Sequence, residues 1–268
     1  MYRTVVVPLD RTTEADAAVG YGATLARQAG AALELLTVPS TYMDSTDVEN
    51  HLADAAARHD VEAKLSVTET GDVTETILAT ADAADTLLCM RTHARGTLTE
   101  MALGSVSEAV VRGCHQPVLL VGPHCGPAPE RFASMVVGLD GSKLAEQILP
   151  VAVDWSTQLG VTPWLFQVLA AHMPLEAGGE DYQDTGYVHR MADRLKRDNV
   201  SAEWDAAHDR HPAAAIARFA EGVQPAVVAL TTHGRTGLSR LALGSVALEV
   251  AHRATAPVLV LRPDEGES

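Results

Sequence analysis

Short runs of aliphatic and β-branched residues alternate along this chain with longer segments whose apolar positions recur every three to four residues, and the whole series occurs twice. In the first series, residues 4–9, 33–38, 61–67, 86–90 and 118–121 predict strands, while 14–28, 46–59, 73–82 and 104–112 predict helices. Gly30 stands where the first helix would end in a left-handed cap. In the second series the predicted strands are 135–139, 163–169, 202–206, 226–230 and 258–261, and the predicted helices are 143–159, 185–198, 212–221 and 244–253. Residues 61–67 alternate, whereas runs such as 4–9, 86–90, 118–121 and 226–230 are almost wholly apolar, which is the pattern of strands buried on both faces. Strands of that kind separated by helices imply an α/β class with parallel sheets and right-handed crossovers.

The repetition extends to individual residues. Laid without a gap on residues 229–261, residues 89–121 match at 13 of 33 positions, including Thr92 with Thr232, His93 with His233, Arg95 with Arg235, and Leu-Gly-Ser-Val at 103–106 and 243–246. Near the start of each series, Val-Val-Val-Pro-Leu-Asp10 answers Met-Val-Val-Gly-Leu-Asp140 at an offset of 130, so the second copy carries ten extra residues between its early and late parts. A repeat of this length makes domains, not a solenoid. The expected domains are residues 1–122 and 134–262. Between them, Gly122-Pro-His-Cys-Gly-Pro-Ala-Pro-Glu130 lets neither helix nor strand continue. The segment 170–184, with Gly178-Gly179 and acidic neighbours, reads as a mobile loop that takes up much of the extra length.

Composition narrows the class. At 268 residues with 47% hydrophobic content, each half is long enough to bury a core. No apolar run reaches the ~18 residues of a membrane span, so a soluble globular protein is expected. The amino terminus enters a strand within five residues and lacks the basic and apolar regions of a secretory signal, which makes the cytoplasm the expected compartment. Three cysteines, Cys89, Cys114 and Cys125, form neither a Cys-x-x-Cys pair nor an even disulfide set. A net charge of −15 argues against a nucleic acid partner, because neutralising a phosphate backbone needs clustered Lys and Arg. An anionic ligand would then depend on local backbone amides and a few arginines.

The candidate chemistry lies in Thr231-Thr-His-Gly-Arg-Thr-Gly-Leu-Ser-Arg-Leu-Ala-Leu-Gly244-Ser245-Val246, between an apolar run and a helical pattern. Gly244 and Ser245 open a predicted helix, whose free N–H groups and positive dipole end suit an anion. Gly234 would let the chain turn or let a phosphate approach the backbone. Ser245 could cap the helix or donate to a phosphate oxygen. The spacing is neither a Walker A loop nor the dinucleotide Gly-x-Gly-x-x-Gly. A glycine turn followed by an ordinary helix cap accounts for the same residues. His93 and His233 recur at equivalent places, yet no nucleophile or paired carboxylate lies beside them, so a hydrogen-bonded loop histidine is the plainer reading and no catalytic residue is assigned. The histidines show no recurring metal-like spacing, and no metal ligand is assigned.

Taken together, these residues resemble the universal stress protein family in a tandem two-domain form. ATP-binding members of that family carry Gly-x2-Gly-x9-Gly-Ser/Thr after the fourth strand, and the second copy matches all but the first glycine, which is Thr231. The resemblance implies two doubly wound, Rossmann-like five-stranded parallel sheets of order 3-2-1-4-5, with a crevice at the carboxyl ends of strands 1 and 4. It further implies that Asp140 and the backbone near Val168 face an adenine and ribose, that Gly234, Gly244, Ser245 and Val246 hold the phosphates, and that Mg²⁺ or Mn²⁺ bridges phosphate oxygens. Arg235 is either a charge partner or a solvated loop arginine. In the first copy Asp10, Gly104 and Ser105 remain, but Arg91 and Ala94 stand where the family has glycine. The second copy is thus the expected ATP site, with the first binding weakly, taking AMP or cyclic AMP, or serving as a scaffold. Asp10 and Asp140 could equally close a strand and cap the next helix through Thr12 and Ser142. The implied role is a nucleotide-dependent sensor with unidentified regulatory protein partners; slow ATP hydrolysis and a nucleotide-free interaction protein are the alternatives. The apolar final strands, opened by Pro117 and Pro257, could pair within the chain as an internal pseudo-dimer, and a further homodimer is open.

Overall fold

Ten strands line up edge to edge in one sheet, and its order is that of two five-stranded units placed back to back. The computed structural model describes residues 2–10, 12, 14–39, 45–68, 71–92, 103–169, 186–232 and 243–263. In the first half, β1 (Thr4–Pro8), β2 (Ala32–Thr37), β3 (Lys64–Val67), β4 (Thr86–Arg91) and β5 (Val118–Val121) alternate with α1 (Ala17–Ala29), α2 (Ser45–Arg58), α3 (Val73–Ala81) and α4 (Ser105–Gly113). In the second, β6 (Ser134–Leu139), β7 (Thr162–Leu169), β8 (Glu203–His208), β9 (Ala226–Thr231) and β10 (Val258–Leu261) alternate with α5 (Lys143–Glu146), α6 (Leu149–Leu159), α7 (Gly186–Arg197), α8 (Pro212–Gly222) and α9 (Ser245–Arg253). The strand order is β3-β2-β1-β4-β5-β10-β9-β6-β7-β8, so each half has the expected order 3-2-1-4-5.

Every pair within a half is parallel. The central strands are apolar on both sides because helices cover both. One layer packs α1, α2, α6 and α7 against Val5, Val7, Leu35, Val137 and Leu165. The other packs α3, α4, α8 and α9 against Val6, Leu36, Leu88, Val136 and Phe166.

Several boundaries differ from the pattern reading. The single helix expected over 143–159 is two, because Pro150 stands in the first turn of α6. Within one continuous helix its ring would clash with the carbonyl of Glu146 and it would have no N–H to donate. The helix expected from residue 14 starts at Ala17, and Asp16 turns its carboxylate onto Arg58 of α2, 2.5 Å away, instead of capping α1. The third strand is shorter than expected, and the one over 202–206 lies at Glu203–His208. Gly30 does cap α1, at φ +65°, and Gly160 repeats this at the end of α6.

The halves meet along an antiparallel β5–β10 pair in which Val118, Leu119 and Leu120 face Val260, Leu259 and Val258. A reciprocal clamp reinforces this seam. Gln28 of α1 donates to the carbonyls of Phe132 (2.8 Å) and Leu159 (2.7 Å), and its Oε1 accepts the Phe132 N–H at 2.9 Å. Gln158 of α6 does the same to the other half: it donates to the Tyr2 carbonyl and accepts the Tyr2 N–H, both at 3.0 Å. Each helix thereby holds the residue that leads into the first strand of the opposite unit. The linker is pinned as well. Tyr21, Thr24 and Arg27, one row along α1, donate to the carbonyls of Gly126 (3.0 Å), Pro129 (2.7 Å) and Glu130 (3.1 Å). Gln28→Ala leaves two carbonyls and one N–H in a half-buried place without partners. It is expected to cost about 2–3 kcal/mol in urea denaturation, and Gln158→Ala less, because only two bonds are lost there.

Candidate functional site

β6 and β9 are neighbours in the sheet, but the chain leaves them toward opposite faces, to α5 and α6 on one side and to α9 on the other. A crevice has to open between two such departures. It is a cleft of about 320 Å³ lined by Gly138, Leu139, Asp140, Ala145, Phe166, Val168, Pro212, Ile216, Leu230, Thr231, Thr232 and Gly244 to Ala247. Asp140, Val168, Thr231, Gly244, Ser245 and Val246 were each expected at a site, and the fold brings all six to this one cleft.

Local sequence explains each position. Asp140 follows β6, and its Oδ1 accepts the Ser142 N–H at 2.9 Å across Gly141, whose φ of +85° suits glycine. Ser142 then caps α5 by accepting the Ala145 N–H at 3.1 Å. The turn chemistry expected of Asp140 is therefore present, and it fixes the carboxyl group at the cleft rim. Thr231 ends β9 and is 9% exposed. Thr232 donates its N–H to the Leu261 carbonyl at 2.8 Å and accepts the Gly244 N–H on its own carbonyl, so the chain's departure from β9 and its return into α9 are tied together. Gly244 is the N-cap of α9 and brings no side-chain cap, which leaves Ser245 as the first helical residue. The opening N–H groups of a helix lack intrahelical acceptors, and here the residues that carry them, Ser245 to Ala247, line the cleft, with Ser245 exposed.

The first half has the equivalent cleft, about 260 Å³, lined among others by Leu9, Asp10, Leu36, Val38, Met90, Arg91, Gly104, Ser105 and Ser107. Asp10 Oδ1 accepts both the N–H (2.9 Å) and the hydroxyl (2.5 Å) of Thr12. Arg91, in the place of Thr231, donates to the carbonyls of Gly122 at 2.6 Å and Pro123 at 3.5 Å. At this position the first half has spent its side chain on holding the linker. His93, Ala94, Arg95, His233, Gly234, Arg235 and the loop over 170–184 lie outside the described residues.

The apolar wall of the second cleft escaped the sequence reading. Phe166 lies two residues before Val168 on β7, hence on the same face, and that spacing was a usable signal. Ile216 and Pro212 come from α8, and nothing local links them to the loop after β9. Among the described residues, no group of three or more His, Cys, Asp or Glu is placed to hold a metal ion. Burial pushes the thiols of Cys89, Cys114 and Cys125 up, so all three are protonated at neutral pH and are poor nucleophiles. A cleft with an apolar slot, a carboxyl group on its rim and an open helix terminus suits a small ligand that is apolar at one end and anionic at the other.

The model of the universal stress protein family matches residues 1–122 and again 131–262. A universal stress protein of Mycolicibacterium smegmatis is 27% identical over 97% of this chain and 97% of its own length. One from Mycobacterium tuberculosis is 27% identical over 96% of each. Among solved structures, a universal stress protein from Archaeoglobus fulgidus superposes with a TM-score of 0.70 at 18% identity, covering 98% of this chain and 99% of that one. A Pseudomonas aeruginosa protein described as functionally unknown gives 0.64 at 20% identity, over 98% and 94%. With the family's model matched twice along the chain and relatives of the same tandem length, the chain belongs to the universal stress protein family.

Proposed function

We propose that the cleft between β6 and β9 binds an adenine nucleotide, with ATP favoured, and that occupancy governs contacts with regulatory protein partners. The observation that carries this reading is the meeting of Asp140, Val168, Thr231, Gly244, Ser245 and Val246 in one cleft at the switch point of the sheet. Asp140 and Val168 would border the adenine and ribose. The first-turn N–H groups of α9 and the Ser245 hydroxyl would meet the phosphates, with Gly234 and Arg235 contributing from the loop. Mg²⁺ or Mn²⁺ would ride on the phosphates with its waters, as such cations do with few protein ligands. The protein is read as a sensor, with slow ATP hydrolysis as the alternative that steady-state phosphate release from Mg-ATP would reveal. The first-half cleft, with Asp10, Gly104 and Ser105, is the weaker site, for AMP or cyclic AMP if for any nucleotide.

Isothermal titration of nucleotide-stripped protein with Mg-ATP tests the reading. One site is expected. Ser245→Asp keeps a residue favoured in a first helical turn while setting a negative charge where the phosphates would lie, so it should weaken binding at least tenfold. Ser105→Asp should leave the titration unchanged. No heat from folded protein at millimolar Mg-ATP, or an indifferent Ser245→Asp, would overturn the assignment.

A further inference from the structure

The two clefts are built on equivalent positions, yet one difference between them is chemical in kind. Phe166 lines the second cleft where Leu36 lines the first. The Phe166 ring is 2% exposed and lies parallel on Phe219 of α8, with ring centres 4.2 Å apart at 10°. Phe219 in turn meets Trp164 edge-on, 5.7 Å away at 67°. In the first half Glu34 stands for Trp164 at the offset of 130, and with Ile77 of α3 lining its cleft as Ile216 of α8 lines the other, Thr80 stands for Phe219, so neither brace exists there. Leu36 and Met90 leave that cleft with an aliphatic, adaptable wall.

A ring clamped on one face by a parallel ring cannot turn to follow its ligand. Phe166 is among the residues that line the cleft, and a ring held there offers a fixed aromatic contact that favours a flat ring over a flexible chain. We infer that Phe166, braced by Phe219 and Trp164, is the specificity determinant that makes the second cleft read the planar base of its ligand, while the first cleft lacks such discrimination. This rests on the nucleotide reading of the same cleft and extends it: affinity there depends on the base as well as on the phosphates. Phe219 does not line the cleft and acts as a positioning residue.

The test pairs two titrants, Mg-ATP and inorganic Mg-tripolyphosphate, against the full-length wild type, Phe166→Leu, Phe166→Met and Phe219→Leu. Wild type should bind ATP at least tenfold more tightly than tripolyphosphate. Both Phe166 variants should lose about five- to tenfold for ATP with tripolyphosphate affinity unchanged, and Phe219→Leu should lose less in the same pattern. Unchanged tripolyphosphate binding also certifies that the variant is folded. The inference falls if ATP binding is indifferent to both Phe166 variants, or if the two titrants weaken in step, which would mean that Phe166 matters only for folding. Equal wild-type affinity for both titrants would sink base recognition while leaving the anion site standing. A wild type that binds neither would overturn the nucleotide reading itself.

Discussion

Leu259→Asp is expected to yield a chain that does not fold. Leu259 is fully buried at the centre of β10, faces Leu119 across the antiparallel seam and has β9 on its other side. Deleting the leucine side chain alone costs about 2–5 kcal/mol. The aspartate would add a carboxylate with no cation within the buried seam, at a penalty of several more. Together these match the ~5–15 kcal/mol by which a folded protein is ordinarily stable. Far-ultraviolet dichroism and size exclusion should show unfolded or aggregated material, while Leu259→Val should stay folded with a lower melting temperature. A Leu259→Asp protein that melts like wild type would show that the seam contributes nothing.

Trp155→Ala should cost about 3–5 kcal/mol, the range for removing a large buried aromatic. Trp155 is fully buried on the inner face of α6 and donates its indole N–H to the Tyr2 hydroxyl at 3.2 Å, with the rings edge-to-face at 6.4 Å. The loss is therefore shared: a cavity under the second half and an unpartnered tyrosine from the first. Burial already pushes the Tyr2 phenol up to about 12, so its hydroxyl is a protonated group in an apolar setting. Trp155→Phe, which keeps a ring but no N–H, should lose less. Urea denaturation reads both, and a midpoint shift under half of that expected for alanine would mean that α6 can collapse into the gap.

The fold was legible because its signals are redundant. Apolar runs such as Val5–Val6–Val7 and Val227–Val228 name buried strands whatever their surroundings, and two copies of the series confirm one another. What could not be read from periodicity is non-local. Nothing near residue 28 or residue 158 says that a glutamine will bind the start of the other unit, although their recurrence at an offset of 130 was there to see. Pro150 carried the helix break openly, and the apolar spacing on either side of it concealed the break. In the site, the polar residues were legible because they sit next to strand ends and a helix start, where the parallel-sheet topology fixes their position. Phe166 and Phe219 lie on different elements, and only tertiary packing stacks them. Arg91 in the place of a glycine advertised a change in the first half, but its bond to Gly122 depends on how the linker returns.

The antiparallel join has a consequence for how the two clefts can vary. In a symmetric pair of identical chains every substitution is made twice, so a residue that improves one cleft is imposed on the other, and a bond made by one subunit must fit its mirror in the second. Here Gln28 and Gln158 preserve that symmetry where the halves meet. Arg91 against Thr231 and Leu36 against Phe166 break it where the clefts lie. Covalent fusion thus separates the two demands: the contact surface stays matched, while each cleft is free to drift toward its own chemistry.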